Sequence, residues 1–116
     1  MVHIFRFDRA ERPITRFAST GATATRVAAG DGPGYVTCLA IAPGGAIGTH
    51  PAPVRQLFLV VAGEGWVAGP DGQQVALTAG WGVCWEAGEQ HTSGTESGLT
   101  ALAVEGDGLQ LYAPQD

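Results

Sequence analysis

The chain contains no lysine, and its six basic residues are all arginine. Five of them, Arg6, Arg9, Arg12, Arg16 and Arg26, precede residue 30, and with eleven acidic residues the formal charge is −5. A duplex-binding face needs clustered Lys and Arg, so no nucleic-acid partner is expected. The early arginines read as a solvated N-terminal strand and loop. Long apolar runs are also missing: none approaches the ~18–20 residues that span a bilayer. The first eight residues lack the unbroken apolar core of a secretion signal. The reading is therefore a cytoplasmic protein with no membrane partner. Cysteine is scarce. Cys38 and Cys84 read as free thiols acting as small core residues, and spacing alone argues no disulfide between them. Helical periodicity is absent from every window of ten or more residues.

What is present is a core-forming composition, 45% hydrophobic against 15% charged, punctuated by 18 glycines and seven prolines. That combination describes short strands joined by tight turns. A length of 116 residues suits one domain over 1–116 and is too short for two. Alternation or apolar runs predict strands over 2–7, 14–18, 35–42, 54–62, 66–68, 73–77, 81–86, 99–105 and 109–112. Residues 19–34 read as loop or weak strand. Gly63, Glu64 and Gly65 are expected to bend the chain, and residues 46–53 to form a loop held by Pro51 and Pro53. In the run 54–62, Gln56, Phe58 and Val60 share one face, and Arg55, Leu57, Leu59 and Val61 the other. The fold class is all-β, a sandwich or small barrel.

Two histidines carry fixed punctuation. Gly44, His50, Gln56 and Gly63 form one series, with Ala52 two residues past the histidine; Gly80, Glu86, Gly88 and His91 form the other. These spacings resemble the two motifs of the cupin superfamily, whose fold is a double-stranded β-helix, or jelly-roll barrel. The resemblance implies a small single-domain cupin, with 1–34 as N-terminal strands and loop and 35–112 as the conserved barrel. It also implies a homodimer. The departures bear on function. Ala52 stands where the family has a second histidine, and Gln56 where it has a glutamate. Glu86 replaces a proline and Thr95 an asparagine.

By this resemblance His50, Gln56 and His91 converge in the barrel as a reduced metal site for a divalent transition metal such as Zn, Fe, Ni, Cu or Mn. Two imidazoles and an amide oxygen leave coordination positions open for a small-molecule ligand. The missing carboxylate leaves the donor set neutral, which weakens it for a hard cation. Phe58, Val60, Trp66 and Trp85 are expected to line the pocket. Glu86 is expected to be solvated, and no cationic neighbour is foreseen that would activate Cys84. Three functions remain open at this level. One is a metal-dependent small-molecule-binding cupin. The second is a metal-free ligand-binding or regulatory module. The third is a metal-free enzyme with a histidine base.

Overall fold

The computed structural model describes residues 2–7, 12–13, 23–24, 28–29, 32 and 34–112. The strand expected over 14–18, along with Arg9, Arg16 and Arg26, lies outside the described residues. All the described secondary structure is strand: β1 (His3–Arg6), β2 (Arg12–Pro13), β3 (Thr23–Ala24), β4 (Ala28–Ala29), β5 (Tyr35–Ile41), β6 (Ala46–Pro51), β7 (Gln56–Ala68), β8 (Gln74–Thr78), β9 (Trp81–Trp85), β10 (Gln90–Gly94), β11 (Leu99–Glu105) and β12 (Gln110–Leu111). Among the described residues no helix is long and apolar enough to cross a membrane.

Every pairing among the described strands is antiparallel. One sheet runs β1–β9–β7–β11–β5, through the first half of β7. The other runs β8–β7–β10–β6, through its second half. Thus β7, 13 residues long, belongs to both faces of a jelly roll. The bend expected at Gly63 to Gly65 does not end the strand. These residues pair with β11 on one side and β8 on the other, so backbone hydrogen bonds carry the strand through the glycines.

The break in β7 is one of register. Ala101 pairs with Val60 and Thr100 with Ala62, which leaves Val61 as an extra residue. A bulge of this kind moves later side chains to the opposite face. Phe58 and Val60 point into the main core with Val83, Trp85 and Ala101. Beyond the bulge the inward residue is Val67, 1% exposed, while Val61 is 44% exposed. Leu57 and Leu59 point the other way, into a second cluster with Phe5 and Cys84. The faces expected for Gln56 to Leu59 are therefore observed. Each fully buried Val, Leu or Phe contributes about 1.5–3 kcal/mol, so the two clusters hold the sheets from both sides of β7.

Two local expectations differ from the structure. Residues 46–51 are strand rather than loop, because β6 pairs with β10. Pro51 is tolerated there since β6 lies at the sheet edge, where a missing N–H costs no ladder bond. Cys38 is exposed rather than a core residue; only Cys84 is buried, and both thiols are free. Cys38 sits on β5, which pairs with β11 alone among the described strands and leaves Tyr35 and Val36 largely exposed.

Gly63 and Gly72 separate two costs of a positive φ, at 80° and 75°. A Cβ at Gly72 meets nothing, whereas one at Gly63 would overlap the Gly98 carbonyl oxygen. Gly72→Ala should lose about 1–2 kcal/mol, the left-handed penalty alone. Gly63→Ala should lose more than ~3 kcal/mol, because the backbone it strikes cannot yield. Urea unfolding of both variants checks this; equal losses would refute the packing argument.

Candidate functional site

The site is built from two cross-strand pairs. His50 on β6 lies directly opposite His91 on β10, and the imidazole centroids are 4.3 Å apart at 56°. Gln56 at the start of β7 lies opposite Glu105 at the end of β11. The first pair comes from one sheet and the second from the other. All four side chains line a single cavity of about 200 Å³. Leu39, Ile47, Phe58 and Ala103 supply apolar wall, and Thr37 and Ser93 add hydroxyls. A concavity of about 440 Å³ beside Ala40, Ala62, Gly98 and Thr100 is larger but contains no ionisable side chain.

Each imidazole is held by a backbone carbonyl two residues before it in the chain. His50 Nδ1 lies 2.7 Å from the Gly48 carbonyl oxygen, and His91 Nδ1 lies 3.0 Å from that of Glu89. A carbonyl only accepts, so Nδ1 carries a proton in both rings, and in the neutral form of each it is Nε2 that keeps the lone pair. The Glu89 carbonyl also takes the Ala52 N–H at 3.1 Å, and the Gly88 N–H returns to the Ala52 carbonyl at 2.7 Å. The Glu89 carboxylate closes the turn by accepting the Glu86 N–H at 2.9 Å. Ala52 is 2% exposed, and its methyl packs in the main core. Where the resemblance places a second histidine, this chain therefore has core packing and a backbone clamp for the turn that carries His91.

His50 is exposed, whereas His91 is 5% exposed. Trp85 stacks on the His91 ring, with centroids 4.9 Å apart and planes within 20°. Burial pushes the His91 pKa below the usual imidazole value, against the upward pull of its bond to the Glu89 carbonyl; the neighbouring His50 lowers it further. The ring is thus held neutral at pH 7.

The Gln56 side chain is also fixed. Its Nε2 donates to Glu105 Oε2 at 2.8 Å. A carboxylate only accepts, so the amide nitrogen faces Glu105 and Oε1 is the atom left for other partners.

Of the expected site residues, His50, Gln56 and His91 meet in the cavity and Phe58 forms part of its wall. The other three expected pocket residues lie elsewhere. Val60 is fully buried in the main core. Trp85 supports His91 from within the core. Trp66, carried past the bulge, lines a separate groove with Glu64, Gln74 and Glu96. Glu105 was not expected. No motif marks it, since it reaches the site only through its register against Gln56. Glu86 is on the surface, 3.3 Å from Arg55. Arg55 is the cation that was not foreseen beside Cys84, but burial still pushes the thiol upward. Cys84 belongs to the second cluster, on the face of β9 away from the histidines.

With this geometry in place, comparison with known proteins decides the family. A family profile for "Cupin domain" matches residues 38–105, more than half of the chain. The chain belongs to the cupin domain family. A comparison with curated proteins finds no match. Among solved structures, a cupin superfamily protein from Desulfitobacterium hafniense aligns with TM-score 0.60 at 16% identity, over 89% of this chain and 97% of that one. A predicted oxalate decarboxylase from Thermotoga maritima aligns with TM-score 0.55 at 24% identity, over 66% of this chain and 64% of that one. A DMSP lyase from Ruegeria pomeroyi aligns with TM-score 0.54 at 19% identity, over 87% of this chain and 54% of that one. The cupin therefore spans less than two thirds of the length of these two neighbours. At such identities the likeness is one of fold.

The depressed His91 pKa sets a pH dependence. An unfolded imidazole takes its proton near pH 6.5, while His91 resists protonation until lower pH. Between those values the unfolded state binds more protons, so stability is full above pH 6.5 and falls as the pH is lowered through the window. In the presence of a chelator, the wild-type urea midpoint should fall more between pH 7 and pH 5 than that of His91→Asn. Parallel profiles would show that His91 contributes nothing to the slope.

Proposed function

We propose that this cupin binds a small molecule in the cavity at His50 and His91, and that these histidines, with Gln56, hold a divalent transition metal there. The observation that carries the reading is the shared tautomer. Both Nδ1–H groups are committed to backbone carbonyls, so two Nε2 lone pairs are available at one cavity. That is the arrangement by which ligating histidines are oriented. The neutral state of His91 supports it, since a metal competes with the proton for the same lone pair. Gln56 adds an amide oxygen of fixed orientation. Two nitrogens and one oxygen suit Zn, Fe, Ni, Cu or Mn and leave positions for a ligand.

Such an ion would supply Lewis acidity, polarising a ligand oxygen. The chain's own residues do the rest. Leu39, Ile47 and Phe58 exclude water from one side of the ligand, and Thr37 and Ser93 offer hydroxyl hydrogen bonds. The volume of about 200 Å³ falls below the ~300 Å³ at which pockets for drug-sized ligands begin. The reading is therefore a small, compact organic molecule.

A second reading is a metal-free binding module. One observation favours it: among the described residues no three His, Cys, Asp or Glu side chains group as a metal site. Titration with Zn²⁺ and Ni²⁺ against a chromophoric chelator separates the two. On the metal reading, wild type takes up about one equivalent, and His50→Ala and His91→Ala each weaken binding by more than ~100-fold, beyond the usual cost of losing an outer partner. Wild-type affinity equal to that of the two variants would leave the metal-free module.

A further inference from the structure

We infer that Glu105 is the positioning residue of the site, restoring through Gln56 the charge and orientation lost where an amide stands in place of a carboxylate. This rests on the metal reading above. The argument begins with the amide. It can offer an oxygen or an NH2 to the cavity, and only the oxygen can ligate a cation. On its own, Gln56 has no reason to prefer one orientation. Glu105 decides it by accepting the amide N–H at 2.8 Å, which turns Oε1 away from β11.

The same contact addresses charge. His50, Gln56 and His91 form a neutral set, and a divalent ion placed among them in a half-buried cavity would have no compensating anion. Glu105 lines that cavity together with both histidines. Donating to a carboxylate also pushes electron density onto the amide oxygen, making it a stronger donor. Glu105 itself does not group with the histidines as a three-residue ligand set, so its action runs through Gln56. The pair divides between two strands what one glutamate does alone: β7 supplies the ligating oxygen and β11 the negative charge. Register enforces this, because Gln56 and Glu105 are direct cross-strand partners, whose side chains lie within reach of one another.

The test uses Zn²⁺ and Ni²⁺ as probes in chelator competition, with circular dichroism to verify folding. Glu105→Gln should weaken metal binding about 10- to 100-fold, the usual cost of losing an outer partner. The charge-exchanged double variant Gln56→Glu/Glu105→Gln should return to within a few-fold of wild type, because the carboxylate then ligates directly and an amide supports it. Glu64→Gln, in the groove beside Trp66, should leave affinity unchanged. Wild-type affinity in Glu105→Gln overturns the inference, as does a folded double variant that stays as weak as the single one, which would make Glu105 merely structural. If Glu105→Gln does not fold, the double variant decides by the same criterion. The failures are distinguishable. Metal uptake that needs both histidines but ignores Glu105 overturns this inference alone, whereas no uptake by wild type overturns the metal reading and this inference with it.

Discussion

Strand β7 takes part in both sheets, and the single extra residue at Val61 determines how each half is presented. Before the bulge, Gln56, Phe58 and Val60 face the cavity and the main core. After it, Val67 takes the inward role and Trp66 turns away to another groove. Without that shift the second half of the strand would turn Glu64 and Trp66 inward in place of Val67. The same continuity brings the four-residue site together. The first half of β7 carries Gln56 against Glu105 in one sheet, and the second half pairs with β10, which carries His91 against His50 in the other.

The polar groups of the site are oriented by acceptors that cannot donate. Two backbone carbonyls set the tautomers of the histidines, and one carboxylate sets the amide of Gln56. None of these orientations depends on a bound ligand, so the cavity is arranged in advance of whatever occupies it. Ala52 belongs to the same scheme from the other side. Its methyl fills the core, and its backbone holds the turn from which the His91 anchor projects. Where the resemblance places a second histidine, this chain thus keeps the backbone support of the turn that carries His91.

Much of the fold was legible along the chain. Alternation in residues 54–60 assigned Gln56 and Phe58 to one face and Leu57 and Leu59 to the other, and the structure has that division. Motif spacing pointed to a double-stranded β-helix and to His50, Gln56 and His91 as neighbours. Reading 66–68 as a separate strand after a bend hides the continuity of β7, and the bulge at Val61 has no local signal, so nothing in the sequence shows that Trp66 faces another groove. Likewise Pro51 read as a loop marker, because a sequence does not say that its strand lies at a sheet edge where a missing N–H is harmless.

By itself, then, the sequence determined the all-β class through local periodicity and turn residues, and its resemblance to the cupin motifs pointed to the barrel type and to the two histidines. Tertiary structure alone decided the partners. Glu105 is 49 positions from Gln56 and carries no motif. Trp85 reads as pocket lining until its stacking on His91 is seen. Arg55 meets Cys84 and Glu86 only when β7 and β9 lie side by side. Cross-strand register creates these contacts, and register is a property of the assembled sheet, set by packing and bulges rather than by any single segment.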